Sequence, residues 1–151
     1  MDVHQIREDI YRLLTAYCAG IDEGRLDDVA ALFGADGAYG PFKGRGVTGA
    51  AAVRELLHKT VILYDGVPRT RHMITNVLIN VDEDGSSGSC KSYVQVLHQG
   101  PGGPLHPVVA GTYHDKVLKL DGVWLFAERL MEMQLIGDLS THVHGNPLKK
   151  F

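Results

Sequence analysis

The apolar residues Val3, Ile6, Ile10, Leu13, Leu14, Tyr17 and Ile21 recur at spacings of three and four, which predicts an amphipathic helix. Asp2 stands where an N-cap belongs, and Gly20 and Gly24 mark the helix end. Leu26, Val29, Leu32 and Phe33 trace a second, shorter helix. The stretch from Gly34 to Gly46 is rich in glycine and reads as turns with a short strand around Ala38-Tyr39. Thr48 then caps a third helix, Gly49 to about Lys59, with Val53, Leu56 and Leu57 inward.

From Arg69 the period changes. His72, Ile74, Asn76 and Leu78 fall on one face of a strand that runs to Val81, and Met73, Thr75, Val77 and Ile79 fall on the other. Asp82-Glu83-Asp84-Gly85 is a turn, and Ser89 to His98 is a second strand broken by Gly100-Pro101-Gly102-Gly103-Pro104. Pro107 to Leu120 and Val123 to Leu135 are joined by the hairpin pair Asp121-Gly122. Helices followed by an antiparallel meander give an α+β fold with the helices on one sheet face, and the curl of such a sheet leaves a pocket between them. One domain is expected over residues 1–136. The polar, aperiodic segment 137–151 reads as an extended tail or lid.

Composition narrows the function classes. A net charge of −3 lacks the basic footprint of a nucleic-acid binder. No apolar run approaches the ~20 residues that cross a bilayer. The charges at Asp2, Arg7, Glu8 and Asp9 leave no room for a signal peptide. Two cysteines, Cys18 and Cys90, make no disulfide framework, and Cys18 reads as a buried, inert thiol. A cytoplasmic protein with a small-molecule partner is the expectation. The outward positions Val77, Ile79 and Val81 would leave an apolar outer sheet face, which predicts a homo-oligomer.

Two segments carry candidate chemistry. Tyr17-Cys18-Ala19-Gly20-Ile21-Asp22 ends the first helix with a phenol and a carboxylate, and Arg71-His72-Met73-Ile74-Thr75-Asn76 sets a His and an Asn on one strand face. If the fold brings Asp22 to His72, a carboxylate orients an imidazole beside a phenol, which is a metal-free general-base site. Each residue also has a plainer role. His72 can be a satisfied core histidine, Asp22 a cap of the second helix, and Tyr17 a core residue. Arg129 can pair with Asp115 or Glu128, and strict alternation sets it on the face opposite Trp124 and Phe126 unless a bulge intervenes. His142-x-His144 lacks an obvious third ligand, so no metal site is expected.

Taken together, these pieces resemble the SnoaL-like branch of the NTF2-like superfamily. The likeness rests on Tyr17-x4-Asp22, Leu26-x5-Leu32-Phe33-x2-Asp36-Gly37, Gly46-x2-Gly49, Arg71-His72-x3-Asn76, Ala110-Gly111-x-Tyr113-x-Asp115 and Asp121-Gly122-x-Trp124-x4-Arg129. It implies a cone-shaped, curved antiparallel sheet wrapped around the N-terminal helices and enclosing a pocket. Within that superfamily the chain resembles the group of scytalone dehydratase, bile-acid 7α-dehydratase and hexachlorocyclohexane dehydrochlorinase. Those enzymes use an Asp–His dyad and no cofactor. The resemblance maps the dyad onto Asp22 and His72, the Tyr of the bile-acid enzyme onto Tyr17, and the last-strand Arg onto Arg129. Arg129, Asn76, Tyr39 and Tyr113 are the implied substrate contacts.

The implied reaction is cofactor-independent loss of water from a hydrophobic cyclic or polyketide-like hydroxy-ketone, in a trimer or dimer. Two departures qualify the likeness. Tyr17 stands where the dehydrochlorinase pattern has Lys, which argues against halide elimination. The strand holding Tyr93 and Gln95 lacks the added carboxylate of the bile-acid pattern. The same scaffold also serves isomerases and cyclases, for which Asp115 is the candidate acid or base, and non-catalytic ligand-binding or accessory subunits.

Overall fold

The computed structural model describes residues 2–145. The first helix, α1 (Val3–Asp22), begins where Asp2 accepts hydrogen bonds from the backbone amides of His4 and Gln5 at 3.0 and 3.3 Å. Its buried stripe, Ile6, Ile10, Leu13, Leu14, Tyr17 and Ile21, is the periodic set of the sequence without Val3, which is exposed in the first turn. Helix α2 (Leu26–Ala31) follows, then strand β1 (Phe33–Pro41), strand β2 (Val47–Thr48) and helix α3 (Ala50–Thr60). Four long strands complete the order: β3 (Thr70–Val81), β4 (Ser87–His98), β5 (His106–Leu120) and β6 (Val123–Ile136).

The strands form one curved, unclosed sheet in the order β2-β1-β6-β5-β4-β3. The meander β3 to β6 is antiparallel, as expected, but β1 joins it alongside β6 in parallel. The glycine-rich stretch is thus mainly a strand rather than turns. Its glycines are what let it approach so closely: a Cβ on Gly37 would lie 2.7 Å from the Phe126 carbonyl oxygen. Phe33 and Tyr39 point from it into the core. The start of α3 also differs. Its N-cap is Gly49 at φ 87°, not Thr48, and no side chain caps it.

Two bulges re-aim the sheet. The β3–β4 register shifts between Thr75 and Leu78, with Asn76 in the left-handed region at φ 52°. Beyond that point the faces exchange. Ile79 is buried, Val77 and Val81 pack against the core, and Leu78 is exposed. The apolar outer face expected from Val77, Ile79 and Val81 therefore does not exist, and these side chains belong to the core. On β6, Lys116 pairs Glu128 while Val117 pairs Phe126, so Ala127 is the extra residue. Phe126 and Arg129 consequently share the inner face.

After β6 the chain crosses back toward the helices. Leu139 is buried, Tyr64 Oη donates to the Thr141 carbonyl at 2.6 Å, and the His144 amide donates to the Thr60 carbonyl at 2.8 Å. Val61 and Val143 form a β-bridge. The rest of the expected tail, residues 146–151, lies outside the described residues.

Candidate active site

The last residue of α1 and the first turnless stretch of β3 meet at Asp22. His72 Nδ1 lies 2.6 Å from Asp22 Oδ1, the His72 backbone amide donates to Oδ2 at 2.8 Å, and Thr70 Oγ1 donates to Oδ1 at 2.7 Å. Burial opposes ionisation of Asp22, but the His72 side chain and amide, with the Thr70 hydroxyl, outweigh it and hold the carboxyl below its ordinary range. An ionised carboxylate only accepts, so Nδ1 carries a proton, and in the neutral imidazole Nε2 is left with its lone pair. Both side chains retain only 8% exposure.

His72 lines a cavity of about 620 Å3 between the sheet and the helices. That volume is in the range of small-molecule sites. Its walls are largely apolar, with Ile21, Leu56, Leu57, Val96, Val109 and Met131 among them. Three buried phenols from three elements, Tyr17, Tyr39 and Tyr113, line it as well. The hydroxyls of Tyr17 and Tyr39 lie 2.7 Å apart. Burial first, then the neighbouring phenols for Tyr17 and Cys18 for Tyr113, push these two well above the ordinary tyrosine range, and burial raises Tyr39 too. All three stay protonated donors at neutral pH.

Asn76 and Arg129, expected at this site, are elsewhere. Asn76 sits at the β3 bulge, exposed, off the face of His72 and outside the cavity lining. Strict period-two alternation fails there because the bulge inserts a residue. Arg129 is also absent from the lining. Its Nε and Nη2 donate to the two oxygens of Asp115 at 2.8 Å each, and both side chains are 0% exposed. The guanidinium carbon stands 4.2 Å from the Tyr17 ring centroid and 4.3 Å from those of Tyr113 and Phe126. Burial works against the charge, yet Asp115 raises the Arg129 pKa on balance. This pair braces the back of the phenol cluster. Asp115 is engaged there and does not face the cavity, so it is no candidate acid or base.

Four polar residues of the lining escaped the sequence reading, one of them Thr60 at the end of α3. Lys43 and Arg45 come from the β1–β2 loop, and His142 from the segment after β6. The two cations were legible only as charges within the glycine-rich stretch. His142 had no period to place it. His142 Nδ1 is buried without a partner, and its ring packs against wholly buried His98 at 5.8 Å, with His106 beyond at 5.8 Å from His98. Burial, then the nearby His72 and His98, lowers the His142 pKa to about 4. His144 is exposed, and among the described residues no group of three or more His, Cys, Asp or Glu could hold a metal ion. Cys18 is buried in α1, and burial pushes its thiol up to about 11.

Comparison with known proteins places this geometry in a family. Residues 3–130 match the SnoaL-like domain, and the chain belongs to that family. No curated protein matches it. Among solved structures, it is similar to a provisionally assigned scytalone dehydratase of Novosphingobium aromaticivorans (24% identity, TM-score 0.72, 87% of this chain and 86% of that one). A Mycobacterium tuberculosis protein of unknown function is similar at 28% identity and TM-score 0.73, over 89% of this chain and 76% of that one. An NTF2-like protein with a cystatin-like fold from N. aromaticivorans matches at 16% identity and TM-score 0.72, over 87% and 83%. These likenesses establish the NTF2-like, cystatin-like fold.

Proposed function

We propose that the protein is a cofactor-independent lyase that removes water from a hydrophobic cyclic or polyketide-like β-hydroxy-ketone. The observation that carries this reading is the Asp22–His72 hydrogen bond of 2.6 Å at the wall of an open, phenol-lined cavity. The provisional assignment of a structural relative as a scytalone dehydratase is compatible with it.

Nε2 of His72 takes the proton from the carbon between the carbonyl and the carbinol. The C–H electrons move into a new C=C bond and the carbonyl becomes an enolate oxyanion. Asp22 stabilises the imidazolium that results and keeps the ring in register. A hydroxyl of the Tyr17–Tyr39 pair donates to the oxyanion, and the high pKa of these phenols keeps the donated proton in place. The enolate then collapses, a C=C bond forms toward the carbinol carbon, and its C–O bond breaks. The His72 imidazolium returns its proton to the leaving hydroxide, so water departs and the neutral imidazole is regenerated. An apolar wall excludes bulk water from the enolate.

Incubation with a panel of bicyclic β-hydroxy-ketones, followed by mass spectrometry, tests the reading. The expected product is lighter by one water, and His72→Gln slows its formation about a thousandfold, within the range of positioned acid–base groups. A product of unchanged mass, or full turnover by His72→Gln, overturns it.

A further inference from the structure

The cavity is chemically two-ended. At its inner end stand His72 and the buried phenols. At its open end stand Lys43 and Arg45, both exposed, on the loop between β1 and β2. Neither cation has a carboxylate within salt-bridge distance among the described residues, and no Asp or Glu belongs to the cavity lining. Arg12, Arg25 and Arg54 are paired with carboxylates elsewhere on this surface, and Arg7 and Arg69 donate to the Ile79 and Gln99 carbonyls. The chain as a whole carries a charge of −3. What sets Lys43 and Arg45 apart is their place: both line one largely apolar cavity whose lining holds no carboxylate.

The loop that carries them is anchored rather than loose. The Phe42 amide donates to the Met131 carbonyl at 2.9 Å, and the Phe42 ring stacks on His114 with centroids 4.1 Å apart. At its neck, Gly40 and Gly46 lie so close that a Cβ on Gly40 would sit 2.4 Å from the Gly46 Cα. The cations are thus presented from a fixed frame. Holding them there with no protein carboxylate costs Coulomb repulsion that an anionic ligand relieves.

We infer that the substrate carries an anionic group, a carboxylate or a phosphate, which Lys43 and Arg45 hold at the mouth while the hydrophobic body and its carbonyl reach the phenols and His72. The chemistry at the inner end rests on the lyase reading above, but the anion subsite does not depend on it. The probe is a tetralone bearing an oxybutanoate chain, compared with its methyl ester and with the analogue ending in a phosphate monoester. Titration calorimetry measures each against the wild type and against the Lys43→Gln/Arg45→Gln double variant.

Exposed ion pairs are individually weak, so the acid is expected to bind about five- to tenfold tighter than the ester, with the gap narrowing as salt is added. In the double variant that gap closes, while the ester binds as before, which shows that the pocket is intact. A preference for the phosphate over the carboxylate assigns the anion to a phosphorylated substrate, and the reverse assigns a free acid. Equal affinity for acid and ester in the wild type overturns the inference, as does an equal loss of both in the double variant. The two readings fail separately. Acid selectivity without water loss from any β-hydroxy-ketone sinks the lyase and leaves the anion subsite. Water loss that depends on His72 with no acid selectivity does the opposite.

Discussion

The molecule buries two carboxylates, each against a basic side chain, in different surroundings. Asp115 and Arg129 are directly opposite on β5 and β6, bidentate, and 0% exposed. Asp22 and His72 are joined across α1 and β3 and keep a nitrogen turned to a cavity, with 8% exposure on each side chain. The first pair has every face covered, by Tyr17, Tyr113 and Phe126, so nothing can reach it. The second leaves one lone pair free. Under the proposed function, what separates brace from reagent is not residue type but whether an unengaged atom meets a cavity.

The largest effect should come from breaking the sealed pair. Arg129→Met leaves Asp115 charged and unpaired in the core, and is expected to cost about 3–5 kcal/mol of stability, with a fall in Tm of roughly 10 °C, as read by thermal unfolding. His72→Gln should change Tm far less while slowing turnover about a thousandfold. If Arg129→Met unfolds no more readily than His72→Gln, the contrast is wrong.

Tyr17→Phe sharpens the contrast from the phenol side. It keeps the ring on which Arg129 stacks and removes one oxyanion donor, so stability should hold while kcat falls about a hundredfold. Unchanged kcat would make Tyr17 part of the brace alone.

His142 supplies the pH arm. An unfolded histidine takes its proton near pH 6.5, whereas the folded residue resists until about 4. The unfolded state therefore binds more protons in this window. Stability is full above about pH 6.5, declines as the pH falls toward 4, and loses at most about 3 kcal/mol to this group. Denaturant midpoints measured across that range should flatten in His142→Gln. A wild-type slope that persists unchanged in the variant excludes the residue.

The smallest effect belongs to Asn76. Asn76→Val places a β-branched residue at φ 52° and should cost about 1–2 kcal/mol with kcat and KM unchanged. A raised KM at intact stability would restore it to the substrate site.

Helix α1 and strand β4 were legible because their apolar residues keep strict periods, from Ile6 to Ile21 along α1 and by alternation through β4. Asp22 and His72 were legible as a pair through motif resemblance, since no local pattern says that residues 50 positions apart will meet. Asn76 was misplaced because a single extra residue in β3 reverses every side chain beyond it, whereas the extra Ala127 does turn Arg129 to the inner face, where Asp115 engages it and keeps it out of the cavity lining. Asn is among the residues that tolerate a left-handed backbone, so Asn76 was a faint signal of the bulge, whereas Ala127 gave none. Strand β1 was hidden by glycines that suggest turns but here permit close packing with β6. His142 reaches the cavity through contacts of Leu139, Thr141 and Val143 that leave no periodic trace.

The central claim is that Asp22 and His72 act as one proton-transfer unit. Turnover of Asp22→Asn, His72→Gln and the double variant on a β-hydroxy-ketone that the wild type dehydrates tests it most directly. Residues that work as a unit are not additive, so the double variant should be no slower than His72→Gln alone. Losses that multiply in the double variant would show two independent contributions and contradict the account.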